Sequence, residues 1–192
     1  MKKVAVLGSG KGTNFLAILK RASRKAWDAE FLAISDKKDS AFIEKAKSEG
    51  VKFEVLPTEK RDEKLLEILK SFSPDLIVLA GYMKILPSAI VKTFEGKIVN
   101  LHPSLLPAFK GAHAIRDAFE YGVKWTGVTV HFVNEELDAG PIIAQVPVEL
   151  RQNDTLESLQ ERIHDAEHEL YPRVVEKILF GGEKFESAFE RK

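Results

Sequence analysis

The chain has 192 residues, with 29 lysines and arginines, 29 aspartates and glutamates, and no cysteine. The length predicts one sizeable hydrophobic core, and the balanced charge gives no general attraction to nucleic acid or to an anionic membrane. The lack of cysteine excludes disulfides, thiolate zinc sites and cysteine nucleophiles. No apolar run approaches a membrane span, and residues 4–7 are too short a run for a signal peptide, so we expect a cytoplasmic protein.

Short apolar segments alternate with helical patterns through the first half of the chain. We predict strands at residues 4–7, 31–35, 53–56, 76–80 and 98–101. Helical patterns cover residues 13–25, residues 39–50 and residues 59–72. Strand and helix in turn imply right-handed crossovers and a mainly parallel sheet.

The later part of the chain has a different pattern. Residues 125–133 and 141–150 predict two longer strands, which we expect to pair in an antiparallel unit. A final helix at residues 156–180 would have Asp154 or Thr155 as its N-cap and would end at Gly181 and Gly182. The predicted fold class is therefore α/β: a single Rossmann-like domain with a mostly parallel, twisted sheet flanked by helices, and antiparallel strands in its C-terminal part.

A glycine-rich loop, residues 8–14 (Gly-Ser-Gly-Lys-Gly-Thr-Asn), separates the first strand from the first helix. Glycines let a backbone approach a ligand closely, and the free amides at a helix N-terminus attract phosphate. A dinucleotide loop would need glycine where Thr13 stands, and a P-loop would need serine or threonine where Gly12 stands. The loop predicts a phosphate site of another kind, such as one for a monophosphate, or else a glycine-rich turn without a ligand.

Asn100 and His102 lie at the end of the fifth predicted strand, where an extended backbone places both side chains on one face. Open parallel sheets bind ligands at such carboxyl ends, and a doubly wound sheet would bring Asp138, in the turn at residues 136–141, to the same rim. An amide, an imidazole and a carboxylate are the groups that acyl transfer through a tetrahedral intermediate uses. Taken singly, the same residues are compatible with two turn formers and a buried histidine.

Two other segments each allow two interpretations. Residues 81–87 are apolar and aromatic, which fits either core or the apolar wall of a pocket for a flat ring ligand. Residues 164–168 match the H-x-x-E-H pattern of inverted zinc proteases, but a further acidic ligand would have to follow within a short remainder. We therefore predict no metal site, and a helix-face role for Glu167 against a cationic or hydroxyl-bearing ligand.

Together, several segments resemble the phosphoribosylglycinamide formyltransferase family, folate-dependent enzymes of purine synthesis. They are residues 8–14, 80–86 (Ala-Gly-Tyr-Met-Lys-Ile-Leu), 100–107 (Asn-Leu-His-Pro-Ser-Leu-Leu-Pro), 127–133 (Gly-Val-Thr-Val-His-Phe-Val) and 136–141 (Glu-Leu-Asp-Ala-Gly-Pro). The resemblance implies that the amine of glycinamide ribonucleotide attacks the formyl carbon of 10-formyltetrahydrofolate, without a metal. It also implies a nucleotide-phosphate half at about residues 1–100 and a folate and catalytic half at about residues 100–180.

The resemblance further implies a role for each site residue. Asn100 and protonated His102 would stabilise the oxyanion, with His102 also the proton donor, while Asp138 would keep His102 charged and help manage the proton leaving the amine. The ribonucleotide would contact Gly12, Thr13, Asn14, His164, Asp165, Ala166 and Glu167. The folate would contact Arg61 or Lys60, together with Met83, Lys84, Ile85, Leu86, Asn100, Asn134, Glu135, Glu136, Leu137 and Asp138.

Three alternatives stay open at this point. Methionyl-tRNA formyltransferase and formyltetrahydrofolate hydrolase share the catalytic residues, but each carries a further domain that we do not expect in 192 residues. A non-catalytic nucleotide-binding module would explain the glycine loop and would leave Asn100, His102 and Asp138 as coincidence. We expect small-molecule substrates, no nucleic-acid or membrane partner, and either a monomer or a homodimer.

Overall fold

The structure, a computed structural model, describes residues 1–181. Its strands are β1 (Lys2–Leu7), β2 (Ala29–Ser35), β3 (Lys52–Val55), β4 (Leu76–Leu79), β5 (Ile98–His102), β6 (Trp125–Phe132) and β7 (Ile142–Glu149). Its helices are α1 (Thr13–Arg24), α2 (Ala41–Ser48), α3 (Arg61–Phe72), α4 (Ser88–Thr93), α5 (Ala114–Tyr121) and α6 (Leu156–Phe180). All the predicted strands are present, with ends displaced by one or two residues, as is usual for element boundaries.

The strands form one seven-stranded sheet in the order β3-β2-β1-β4-β5-β6-β7. β1 pairs in parallel with β2 and β4, and β2 with β3, whereas β6 and β7 are antiparallel. The predicted fold class is thereby confirmed. The described chain divides into two compact units, the first Met1–Val99 and the second beginning at Asn100.

In the first unit, the centre of the sheet is buried on both faces. Residues 4–7 of β1 are fully buried, which is why the strand is a continuous apolar run rather than an alternating one. The Phe15 ring of α1 packs on the Phe42 ring of α2 with centroids 4.8 Å apart. The start of α2 is fixed by Ser40, whose hydroxyl oxygen accepts a hydrogen bond from the Ile43 amide at 3.3 Å.

In the second unit, β6 and β7 pack with α6 around a core of buried residues. These are Val128, Val148, Leu159 and Ile163. The N-cap of α6 is Thr155, which exchanges hydrogen bonds with Ser158 in a capping box. Gly181 follows the last helical residue in an extended conformation, and Gly182 lies outside the described residues.

Two helices were not predicted from the sequence. α4 has six residues and buries only Ile90 and Val91, which is too short for a helical period to be visible. α5 buries Ala114 and Ala118, and alanine contributes little to an apolar pattern. None of the helices in the described part of the chain combines the length and apolarity that a membrane crossing requires.

Candidate active site

The second unit brings together Asn100, His102, His131 and Asp138, which we call the polar cluster. β5 supplies the first two on one face, β6 supplies His131, and the loop after β6 supplies Asp138. His102, His131 and Asp138 are 4%, 2% and 8% exposed. Asp138 has a left-handed backbone with φ 49°, a conformation that aspartate tolerates better than most residues. The predicted catalytic residues thus lie in one group, in which His102 and Asp138 are buried and Asn100 is half-buried.

Both ring nitrogens of His102 face an acceptor. Nδ1 lies 3.4 Å from Oδ2 of Asp138, and Nε2 lies 2.8 Å from the carbonyl oxygen of Phe109. Neither a carboxylate nor a carbonyl can donate a hydrogen. The Nε2 contact is a hydrogen bond in which the ring donates to the Phe109 carbonyl, while the Nδ1 edge faces the carboxylate.

The Asp138 carboxylate lies between two histidines and a loop amide. Its Oδ2 accepts a hydrogen bond from the Gly111 amide at 2.9 Å, and its Oδ1 lies 3.8 Å from Nε2 of His131. Across the same two loops, the Lys110 ammonium lies 3.3 Å from the Glu136 carboxylate. These contacts hold Asp138 against His102.

His131 is a site residue that the sequence analysis did not single out. Burial lowers its pKa, although the hydrogen bond to the Phe132 carbonyl and the charge of Asp138 act in the opposite direction. Nδ1 lies 2.8 Å from that carbonyl oxygen and is therefore the protonated nitrogen. The neutral ring then has a lone pair on Nε2, which accepts from Nδ2 of Asn100 at 3.3 Å. This contact orients the Asn100 amide.

A second polar network braces the loop that carries Phe109. The Thr129 hydroxyl donates to the Ser104 carbonyl at 2.7 Å and accepts from the Leu106 amide at 3.1 Å. The Gln145 amide donates to the Leu106 carbonyl and to the Thr129 hydroxyl, at 3.0 and 2.9 Å. Thr129 belongs to this network and His131 to the polar cluster. In the sequence, both networks could have been recognised from these two polar residues at alternate positions of the apolar strand β6.

In the first unit, the glycines of the loop have different roles. A Cβ on Gly8 would overlap the Phe42 ring, and one on Gly12 would lie 2.9 Å from the Phe42 Cα. Gly12 also has φ 68° and is the N-cap of α1, without any side-chain cap for the first-turn amides. A Cβ on Gly10 would meet nothing within 4 Å. Two of these glycines are thus needed for packing, and Gly10 keeps the backbone open.

Ser9, 2% exposed, links this loop to the segment after β4. Its hydroxyl donates to Asp36 at 2.6 Å and accepts from the Met83 amide at 3.0 Å, while its own amide donates to the Gly81 carbonyl. Predicted phosphate-binding and folate-binding residues of the first unit are therefore connected through one serine. The role of Ser9 was not predictable from the sequence, because its partners lie 27 and 74 residues away along the chain.

The segment after β4 is largely exposed. Met83 and Ile85 are 66% and 76% exposed, whereas Leu86 is buried. The interpretation as core is therefore wrong for Met83 and Ile85, and Lys84 between them is also exposed. The Tyr82 hydroxyl is buried, and desolvation raises its pKa to about 12.

The candidate folate cation is already in an ion pair. The Arg61 guanidinium lies 2.7 Å from the Asp62 carboxylate, which raises the pKa of the arginine. Lys60, the preceding residue, is the N-cap of α3 and has φ 53°. In the other predicted folate segment, Asn134 accepts from the Glu136 amide at 3.1 Å, Leu137 is 56% exposed and Glu135 is exposed.

The predicted ribonucleotide residues of α6 differ in exposure. His164 and Asp165 are exposed, Ala166 is half-buried and Glu167 is 6% exposed. The rings of His164 and His168 stack with centroids 6.4 Å apart. Within residues 1–181, no group of three or more histidine, aspartate and glutamate side chains, the polar cluster included, has an arrangement that could hold a metal ion.

Comparison with known proteins identifies the family. Residues 2–175 match the family model described as formyl transferase. The chain is 43% identical over 186 residues to phosphoribosylglycinamide formyltransferase of Bacillus subtilis (strain 168), covering 93% of this chain and 95% of that protein. It is also 43% identical over 186 residues to the trifunctional purine biosynthetic protein adenosine-3 of Gallus gallus, covering 93% of this chain and 18% of that larger protein. The crystal structure of phosphoribosylglycinamide formyltransferase from Bacillus halodurans matches with a TM-score of 0.89 and 40% identity, over 96% of this chain and 98% of that chain. The chain belongs to the formyl transferase family.

Proposed function

We propose that this protein transfers the formyl group of 10-formyltetrahydrofolate to the amine of glycinamide ribonucleotide. The products are the formylated ribonucleotide and tetrahydrofolate, in de novo purine synthesis. The Bacillus subtilis relative, which matches along nearly its whole length, carries the name of this activity. The observation that carries the proposal is the buried polar cluster, in which His102 lies 3.4 Å from Asp138 and Asn100 lies 3.3 Å from His131.

The proposed reaction proceeds by addition and elimination at the formyl carbon. The amine nitrogen of the ribonucleotide bonds to that carbon, and the carbonyl oxygen becomes an oxyanion. Asn100 donates an N–H to the oxyanion, and the positive charge of His102 stabilises it. The bond between the formyl carbon and N10 of the folate then breaks, and N10 takes a proton from His102. The new amide nitrogen loses one proton to the Asp138 carboxylate, which returns it to His102. Protons and charge balance.

The geometry of His102 indicates which contact changes during this reaction. In the structure, Nε2 donates to the Phe109 carbonyl and Nδ1 faces Asp138, so one of these contacts must be exchanged before the ring can donate to substrate. The carboxylate of Asp138 has to stay, because it stabilises the charge on the ring. We therefore assign the exchange to the Phe109 carbonyl, whose residue has φ 52° in the loop after β5.

In this proposal, each remaining site residue contacts one substrate. The amides of Gly12, Thr13 and Asn14 bind the phosphate at the positive end of α1, and His164, Asp165, Ala166 and Glu167 contact the sugar and glycinamide. The exposed apolar side chains of Met83 and Ile85 suit the faces of a pterin ring, and backbone groups of the same segment would bind its polar edge. Residues 134–138 and either Lys60 or Arg61 complete the folate contacts.

A turnover assay tests the proposal. Release of deformylated folate is followed in the ultraviolet with and without glycinamide ribonucleotide, for the wild type, for His102→Ala and for the matched control His113→Ala, an exposed histidine at the N-cap of α5. We expect release that requires the ribonucleotide and is lost only in His102→Ala. Release without an amine acceptor would instead indicate a hydrolase. Nucleotide binding without release would indicate a non-catalytic module.

We further propose the location, partners and oligomeric state of the enzyme. It acts on two small molecules in the cytoplasm, without nucleic acid, as a monomer or a homodimer. The equal numbers of basic and acidic residues support the absence of a nucleic-acid partner. Light scattering after size-exclusion chromatography, over a range of protein concentrations, distinguishes the monomer from the homodimer.

A further inference from the structure

The side chain of Lys45 lies beside the glycine loop of the first unit. Its Nζ donates a hydrogen bond to the Lys11 carbonyl at 2.7 Å. Its Cδ would lie 3.4 Å from a Cβ placed on Gly12, the N-cap of α1. Although 34 positions separate the two residues in sequence, the Lys45 ammonium therefore contacts the residue that directly precedes the N-cap of α1.

The position of Lys45 is set by the packing of α2 on the loop. The Phe42 amide donates to the Gly10 carbonyl at 3.1 Å, and the fully buried Phe42 ring occupies the space that a Cβ on Gly8 would need. Lys45 follows Phe42 by three residues, so both side chains lie on the same face of α2. That face is the one directed at the loop.

We propose that the Lys45 ammonium is a second binding group for the phosphate of the ribonucleotide. This inference rests on the proposed function. An ammonium has three N–H donors, and the bond to Lys11 uses one of them. A helix N-terminus provides about half a positive charge, whereas a phosphate monoester carries about −1.5 to −2 at pH 7. The full positive charge of the Lys45 ammonium beside the loop adds to the partial charge of the helix end, which alone does not balance the phosphate.

A neighbouring lysine on α2 has different contacts. The Lys47 ammonium lies 2.8 Å from the Glu44 carboxylate and 5.7 Å from the centre of the Phe53 ring. Lys47 is therefore a matched control. A competing explanation is that Lys45 has only a structural role, through its hydrogen bond to the Lys11 carbonyl. Lys45→Gln retains a hydrogen-bond donor for this carbonyl but has no charge, whereas Lys45→Arg retains the charge.

Steady-state kinetics of the wild type, Lys45→Gln, Lys45→Arg and Lys47→Gln test the inference. We expect Lys45→Gln to raise KM for the ribonucleotide about tenfold, equivalent to about 1.4 kcal/mol of binding. Its kcat and its KM for the folate should stay unchanged, Lys45→Arg should stay within about threefold of the wild type, and Lys47→Gln should match the wild type. As a second readout, inorganic phosphate should raise the melting temperature of the wild type more than that of Lys45→Gln.

Two results would overturn this role for Lys45. One is an unchanged KM for the ribonucleotide in Lys45→Gln, and the other is an equal increase in Lys45→Gln and Lys45→Arg. Either result, obtained with an active wild type, leaves the proposed function intact. An inactive wild type refutes the proposed function instead, and the phosphate-dependent melting temperature then decides about Lys45 alone.

Discussion

Replacing Asp138 by asparagine removes one charge from the polar cluster with almost no change in shape. The carboxylate lies 3.4 Å from Nδ1 of His102. At an effective dielectric constant of about 20, two unit charges at this distance attract by roughly 5 kcal/mol before other effects oppose them. The variant retains an oxygen that can accept the Gly111 amide, so the loop keeps its hydrogen bond. We therefore expect the fold to be preserved and the chemistry to be impaired.

The expected loss in kcat is roughly 10²- to 10³-fold. This is the typical cost of removing one group that stabilises an oxyanion, about 2.7–4 kcal/mol in the barrier. It is smaller than the full attraction because solvent and neighbouring dipoles compensate part of the lost charge. KM for the ribonucleotide should change little, because Asp138 is not among its proposed contacts.

Formyl transfer is measured at saturating concentrations of both substrates, with thermal melts in parallel. Asp117→Asn, at an exposed position of α5, is the control for the loss of a negative charge elsewhere. If Asp138→Asn turned over at close to the wild-type rate while melting normally, the ion pair with His102 would have no part in the reaction. A variant that is both unfolded and inactive would contradict the expected structural tolerance.

Two further predictions concern stability. Gly8→Ala places a methyl group where the Phe42 ring lies and should lower the free energy of unfolding by about 1–3 kcal/mol. In Gly10→Ala, the methyl group meets nothing within 4 Å, so this variant should melt close to the wild type. Equal melting temperatures of the two variants would contradict this packing. The hydrogen bonds from Arg162 hold the pKa of Asp154 well below its usual range, so its contribution to stability is present above about pH 4 and is lost as the pH falls further. Asp154→Asn should therefore melt below the wild type at pH 7 and approach it at pH 3, and a gap that stays constant with pH would exclude this ion pair as the cause.

The sequence was sufficient for the alternation of strands and helices. Residues 4–7 and 76–79 are continuous apolar runs because parallel strands are covered on both faces, and their helices show a 3.6-residue period. Both signals lie within a few neighbouring residues. α4 and α5 were missed because a six-residue helix and a helix packed through alanines give almost no period.

The identity of the catalytic candidates was predictable from the sequence, whereas only the tertiary structure decided which residues they contact. Asn100, His102 and Asp138 are recognisable by their chemistry and by the resemblance of their segments to a known family. That His131 orients Asn100, or that Ser9 connects two loops, depends on residues far apart in the chain. A hydrophobic pattern is local information, because burial repeats with the period of the helix or strand. The partner of a buried polar side chain depends instead on which distant segment packs against it, and no local pattern records that.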